Sequence, residues 1–292
     1  MRYGFVTCVR LGRACVEEIL GSGIRIQALV TLRDDLAQGK SGRVYLDDLA
    51  EQYQIPLCKV TNINEPAAIR CLRDADLDWL FIVGWSQIAG REVLASARNG
   101  VLGMHPTLLP VGRGRASIPW AILKGLSRTG VSLFRLAEGV DTGPVLAQEV
   151  VEIDADETAG TLYEKAVTAH LSLLRSVMPE LEAGSVEERP QDDAKATVWP
   201  GRRPEDGEIL PQSMTMDHVD RLVRATTRPY PGAFVRQPDG STLRVWSGAP
   251  STVPSEGIDL RLADGWYTVL SHDVDGVPYP GEQGHKAVGG SG

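Results

Sequence analysis

Residues 79–83 read Trp79-Leu80-Phe81-Ile82-Val83, an unbroken apolar run closed by Gly84. A strand with one wet face alternates apolar and polar residues; a strand buried on both faces reads as a continuous hydrophobic run. Such strands belong to parallel sheets covered by helices, so the flanking sequence should alternate strand and helix. Residues 3–9 are apolar and β-rich, and residues 14–20 have helical spacing and stop at Gly21-Ser22-Gly23. Residues 24–31 form a second predicted strand, and residues 45–53 a helix with Leu46, Leu49 and Ala50 on one stripe. Ile55-Pro56-Leu57 opens a third strand, and residues 66–73 form a helix with Pro66 in its first turn, where proline is tolerated. Repeated strand–helix–strand units predict right-handed crossovers and a parallel sheet. Ligands of such sheets sit beyond the carboxyl ends of the strands.

Downstream, residues 86–97 are expected to be helical and to end at Asn99-Gly100. Residues 101–104 are strand-like and lead into His105-Pro106; a helix over 118–124, strands over 131–136 and 145–153, and a long helix over 158–181 follow. Leu162, Ala166, Ala169, Leu173 and Val177 form the apolar stripe of that helix. A polar, proline-bearing stretch marks a boundary, with a catalytic domain expected over 1–190 and a linker over 191–204. A small β-rich domain is expected over 205–280 (one helix, 216–226, and strands over 233–236, 242–246 and 266–270). A mobile tail with five glycines is expected over 281–292.

The chain has 292 residues, 42% of them hydrophobic and 23% charged, which excludes intrinsic disorder as the main state. A net charge of −8 argues against a general electrostatic grip on nucleic acid. The longest apolar run is far short of the roughly 20 residues a bilayer span needs, and no secretory signal pattern opens the chain. Cys8, Cys15, Cys58 and Cys71 form no Cys-x-x-Cys pair, so neither a disulfide framework nor a zinc site is expected, and no metal is. These features predict a cytoplasmic protein. Gly39-Lys40-Ser41 imitates the end of a P-loop, but the required first glycine is Asp34. Gly21-Ser22-Gly23 precedes a strand instead of following one and reads as a helix stop.

Residues 100–148 carry the chemistry. His105 ends a strand, ahead of a proline that holds it extended. Asp141 lies in Glu138-Gly139-Val140-Asp141-Thr142-Gly143, a glycine-flanked loop after another strand. A His and an Asp on two such loops make an acid/base pair in which the carboxylate fixes the imidazole. By spacing alone they are equally a structural loop histidine and a turn-capping carboxylate. Gly112-Arg113-Gly114-Arg115 is either an anion clamp or a solvated turn.

This stretch resembles the folate-dependent N-formyltransferase superfamily, which includes glycinamide ribonucleotide transformylase, methionyl-tRNA formyltransferase and the amino-sugar N-formyltransferases. The family pattern Asn-x-His-Pro-Ser-Leu-Leu-Pro, Arg-Gly, Asp-Thr-Gly reads here Gly103-Met104-His105-Pro106-Thr107-Leu108-Leu109-Pro110, Arg113-Gly114 and Asp141-Thr142-Gly143. Gly84-Trp85-Ser86-Gln87-Ile88 extends it backward; Asp206-Gly207-Glu208-Ile209, Arg224-Ala225-Thr226 and Pro229-Tyr230-Pro231-Gly232-Ala233-Phe234 extend it forward. The resemblance implies an α/β, mostly parallel Rossmann-like sheet with a small C-terminal β-rich domain. It implies 10-formyltetrahydrofolate as formyl donor, His105 as catalytic imidazole and Asp141 as its support. A folate pocket lined by Trp85, Ser86, Gln87, Ile88, Glu138, Gly139, Val140 and Asp141 is implied with it.

The sequence departs from the family at Gly103, where the family's Asn donates to the formyl oxygen; losing such a donor costs about 100- to 1,000-fold in rate. Three explanations stand: another group, such as Asn99, fills the space; the reaction geometry or substrate differs; or the protein is a non-catalytic folate or nucleotide binder or a formyl hydrolase. The acceptor expected is a primary amine of a small molecule, a nucleotide-linked amino sugar. Net charge −8 and few clustered cations after residue 205 disfavour the alternative, methionyl-tRNA. Thr107, Arg113, Gly114 and Arg115 are the expected substrate-binding residues, with Trp85 or Trp120 to stack on a base. A homodimer is compatible with this reading; no nucleic-acid or membrane partner is expected.

Overall fold

In the chain's computed structural model, which describes residues 1–36 and 42–278, the apolar run around Phe81 lies in the middle of a seven-stranded sheet. Strands β1 (Tyr3–Val6), β2 (Ile26–Leu32), β3 (Leu57–Val60), β4 (Leu77–Ile82) and β5 (Ala97–His105) are parallel neighbours. A two-residue strand, β6 (Arg113–Gly114), lies outside this sheet, and β7 (Arg128–Arg135) and β8 (Val145–Glu152) add to it antiparallel. The order is β3-β2-β1-β4-β5-β7-β8. The chain fills one side of β1 and then returns to fill the other, so strand order reverses between β1 and β4. That reversal opens a crevice at the carboxyl ends of the strands.

Helices α1 (Arg10–Gly21), α2 (Asp47–Tyr53), α3 (Pro66–Asp74), α4 (Arg91–Leu94), α5 (Ser117–Leu123) and α6 (Ala159–Ala183) make the crossovers and connections. The strand–helix alternation expected through residue 83 is observed. In β4, Leu80 and Phe81 are fully buried. The Phe81 ring lies 5.8 Å from Phe5, nearly stacked, and 6.1 Å from Tyr3. The expected stripe of α6, from Leu162 to Val177, is buried at every position. Among the described residues no helix is long and apolar enough to cross a membrane.

The described residues divide into two compact units: those within 1–36, 42–117, 128–152 and 163–200 make the first, and those within 118–127, 153–162 and 201–278 the second. In the first, β9 (Val198–Trp199) pairs in parallel with β6. In the second, α7 (Met216–Thr226) packs on an antiparallel sheet of β10 (Ala233–Arg236), β11 (Thr242–Ser251), β12 (Ile258–Arg261), β13 (Trp266–Val274) and β14 (Val277–Pro278). Val219, Leu222 and Val223 of α7 meet Leu243, Val245 and Tyr267 in its core. The side chain of Thr215 caps α7 by accepting from the His218 N–H at 3.3 Å.

The sequence reading differs from this fold in several places. The helix expected over 86–97 is a single turn, Arg91–Leu94. Residues 87–90 are held in a loop by side-chain bonds described below, and Ala97 already belongs to β5, with Asn99-Gly100 inside the strand. Strands β11 and β13 run well past their expected ends, and β12 (Ile258-Asp259-Leu260-Arg261), although it alternates apolar and polar residues, is only four residues long and is not among the expected strands. Residues 191–199, expected within a linker, are folded against the first unit. Gly39-Lys40-Ser41 and the tail 281–292 lie outside the described residues.

Replacing Phe81 by Ala removes a ring packed in the sheet centre. The expected cost is about 3–5 kcal/mol, read as a lowered urea unfolding midpoint with the far-ultraviolet spectrum of the folded state retained.

Candidate active site

A cavity of about 510 Å³ opens beyond the carboxyl ends of β4 and β5, within the roughly 300–1,000 Å³ typical of small-molecule sites. Its walls come from Ile82 and residues 84–89 after β4, residues 103–106 at the end of β5, residues 114–117, and Phe134, Leu136 and the 137–141 loop after β7. A smaller apolar cavity, about 310 Å³, lies against α1 and α6. Its Glu18 and Arg175 are spent on each other at 2.6 Å.

His105 is the last residue of β5 and is nearly buried. Its Nε2 lies 2.8 Å from the Gly112 carbonyl. A carbonyl only accepts, so Nε2 carries the hydrogen and Nδ1 of the neutral ring keeps its lone pair. Nδ1 faces Asp141 Oδ2 at 3.7 Å. That is too long for a hydrogen bond and close enough to stabilise a proton arriving on the ring.

Asp141 has a left-handed backbone, φ 53°, a conformation Asp tolerates better than most side chains. Its Oδ2 accepts the Gly114 N–H at 2.8 Å. Gly114 has φ 107°, and a Cβ there would stand 2.4 Å from the Trp199 carbonyl oxygen, so β6 can lie against β9 only with glycine at this point. Gln191 secures the same loops. Its Nε2 donates to the carbonyls of Asp141 (2.8 Å) and Gly143 (2.7 Å), and its Oε1 accepts from Arg113 Nε and Nη2.

The loop after β4 is clasped from the end of β3. Gln87 donates to the Thr61 carbonyl and accepts from the Ile63 N–H, both at 2.9 Å. In return Asn64 donates to the Ile88 carbonyl at 2.9 Å and accepts from the Gly90 N–H at 2.6 Å. Arg91 and Glu138 pair at 2.7 Å, linking this loop to the 138–141 loop in the open.

Of the residues singled out from sequence, one cavity brings together Trp85, Ser86, Gln87, Ile88, Gly103, His105, Gly114, Arg115, Glu138, Gly139, Val140 and Asp141. Thr107 and Arg113 do not line it. Thr107 is buried, and the buried Arg113 guanidinium is taken by Gln191 and by Asp193 at 2.7 Å. The Arg113 guanidinium is therefore already occupied, whereas Arg115 is exposed and has no partner for its guanidinium among the described residues. Trp120 lies outside the cavity with Lys124 and Arg202 against its ring at 5.5 and 5.2 Å. Asn99 sits at the opposite end of β5, its amide against Met1 Sδ, and cannot fill the space at Gly103.

Sequence reasoning passed over Asn64, Ser117, Gln191 and His170. Gln191 lay in a stretch read as linker, and Asn64 in a loop of ordinary composition. His170 falls on the inner side of α6 and is fully buried. Its Nδ1 lies 2.7 Å from the Ala166 carbonyl, and its Nε2 has no partner. Burial pushes its pKa down to about 4; the Ala166 carbonyl opposes that shift, and nearby His105 adds to it.

Residues 23–178, more than half of the chain, match the family described as formyl transferase. Solved structures share the fold. WlaRD, a sugar 3N-formyltransferase determined with dTDP and 5-N-formyl-THF, superposes with TM-score 0.68 at 15% identity, over 92% of this chain and 96% of that one. An N-formyltransferase from Helicobacter canadensis, in complex with folinic acid and dTDP-3-aminofucose, gives 0.69 at 14% identity, over 93% and 99%. HypX from Aquifex aeolicus, in complex with tetrahydrofolic acid, gives 0.66 at 18% identity over 93% of this chain but 44% of that one.

An unfolded histidine titrates near 6.5, so between pH 6.5 and about 4 the unfolded chain binds a proton at residue 170 that the folded one refuses. Stability present above that window is lost as pH falls through it, by up to about 1.4 kcal/mol per pH unit. His170→Leu should flatten this part of the acid limb in urea melts between pH 7.5 and 4.5. An unchanged slope would show that His170 is not the group responsible.

Proposed function

The chain belongs to the formyl transferase family, and we propose that it moves a formyl group from 10-formyltetrahydrofolate to the amine of a nucleotide-linked amino sugar. The observation that carries this reading is the His105–Asp141 pair, held from three sides at the floor of the large cavity. The cavity suits the donor. Ile82, Trp85, Met104, Phe134 and Leu136 offer an apolar slot to a flat ring, while Glu138, Asp141 and the loop backbones offer polar edges. Bound there, the folate supplies an activated formyl carbon.

The residues' work follows from the tautomer. Nδ1 of His105 accepts the proton that the amine sheds as its nitrogen bonds to the formyl carbon, and Asp141 at 3.7 Å stabilises the resulting imidazolium. The Gly112 carbonyl holds the ring in place through Nε2. Arg115, exposed and unpaired at the cavity, is the group for a diphosphate. Chain charge of −8 favours a small acceptor over a polyanionic one, and the two sugar N-formyltransferases above were determined with dTDP or a dTDP-sugar.

The test is an acceptor screen with 10-formyltetrahydrofolate that follows tetrahydrofolate release over nucleotide-linked amino sugars, free amino sugars, amino acids and methionyl-tRNA. Release that depends on a nucleotide-linked amino sugar is expected; release only with methionyl-tRNA, or with no acceptor at all, overturns the reading. With the productive acceptor, His105→Ala and Asp141→Asn should each lower kcat more than about 100-fold. Arg115→Ala should raise the acceptor KM and leave the folate KM unchanged.

A further inference from the structure

Formyl transfer places negative charge on the formyl oxygen, and a fixed hydrogen-bond donor at that oxygen is worth about 100- to 1,000-fold in rate. Position 103 does not supply one. A Cβ on Gly103 would lie 2.6 Å from Leu136 Cδ2 and 3.1 Å from the Phe134 ring. The space beside the strand is filled with hydrocarbon.

The other polar side chains of the cavity can be taken in turn. Gln87 is spent on Thr61 and Ile63, and Ser86, which is exposed, already has an interaction of its own. Glu138 and Asp141 are acceptors, and His105 takes the amine proton. The Trp85 indole N–H is sealed from the cavity surface. Arg115 extends into the open.

Ser117 remains. It is only 7% exposed, it lines the cavity, and its hydroxyl has no hydrogen-bond partner among the described residues. It is not among the side-chain polar atoms sealed from solvent, so its oxygen is reachable from the cavity. The residue before it, Ala116, has φ 55°. That conformation is unfavourable for an L-residue with a Cβ, and it is the last step of the chain before Ser117. Three residues earlier, the Gly114 N–H is bonded to Asp141, so this short segment is pinned to the carboxylate that faces His105.

We propose that the Ser117 hydroxyl is the donor to the formyl oxygen in the transition state, in place of a side chain at position 103. This rests on the formyl-transfer reading above. The amine lone pair forms the new C–N bond, and the C=O π pair moves onto oxygen, where the Ser117 O–H donates a hydrogen bond without losing its proton. His105 takes the amine proton. The carbonyl then re-forms, the bond to the folate nitrogen breaks with its electron pair on that nitrogen, and the proton held by His105 goes to it.

The experiment is steady-state kinetics of Ser117→Ala, Ser117→Cys and Ser117→Thr with the acceptor found in the screen. Ser117→Ala should lose about 100-fold in kcat with both KM values within twofold of wild type and an unchanged pH profile, since His105 and Asp141 are untouched. Ser117→Thr, which keeps the hydroxyl, should retain at least a fifth of the rate, and Ser117→Cys, a weak donor, should fall between. Ser117→Ala within threefold of wild type, or Ser117→Cys equal to it, overturns the proposal while His105→Ala remains more than 100-fold impaired. If His105→Ala also turns over at the wild-type rate, the formyl-transfer reading itself has failed.

Discussion

The hydrogen bond from the Gly114 N–H to the Asp141 carboxylate joins two loops that are remote in sequence, and the geometry of the site follows from it. It fixes which oxygen faces His105, and therefore where a proton on that imidazole is stabilised. It depends in turn on glycine at position 114, because the backbone there passes too close to Trp199 for any side chain. The buried Arg113 cation is acceptable only because Gln191 and Asp193 meet it; an unpaired buried charge would be strongly destabilising. The carboxamide of Gln191 then closes the circuit on the Asp141 and Gly143 carbonyls. The strap over 189–199 is thus part of the site's framework, although none of its side chains reaches the cavity.

The opposite wall is built by the same logic with different groups. Two carboxamides, Asn64 and Gln87, each satisfy one backbone donor and one backbone acceptor across the gap between the β3 and β4 exits. An irregular loop has few backbone partners of its own, so these side chains supply them. The clasp turns residues 87–90 into a fixed surface, which is what a binding wall requires. It also accounts for why the helical spacing of residues 86–97 does not become a helix: the side-chain bonds of Gln87 and Asn64 tie the segment into an irregular loop as far as Gly90.

The α/β core was legible because burial on both faces leaves a direct mark, an unbroken apolar run, and because helix stripes recur at helical spacing. Phe81, Leu80 and the α6 stripe follow from those two rules alone. Spacing put His105 and Asp141 on loops at strand exits without deciding their role; the resemblance of the His-Pro and Asp-Thr-Gly motifs singled them out, and one cavity receives them both. Thr107 and Arg113 show the limit. Sequence says that an arginine sits in a glycine-rich loop; it does not say that Gln191 and Asp193, some eighty residues on, consume its guanidinium. Asn64, Ser117 and Gln191 carry no local signal because what matters is which backbone or cavity they face, and that is set by tertiary pairing.

The hydrocarbon around Gly103 bears on the chemistry beyond the loss of a donor. Phe134 and Leu136 place low-polarity surface beside His105, where a shorter side chain on β7 would leave room for solvent. Excluding water from that wall strengthens the electrostatic support that Asp141 gives to a protonated imidazole, because the charges are then poorly screened. On the proposed reading, an apolar wall there also disfavours water as a competitor to the amine at the formyl carbon. A donor on a different lining segment, after Ala116, is compatible with such a wall; a carboxamide on β5 at position 103 is not, because its Cβ would meet Leu136 and Phe134. On the proposed reading, the glycine at 103 and the left-handed backbone at 116 belong to one arrangement, in which Ser117 supplies the polar group and the strand side is given over to packing.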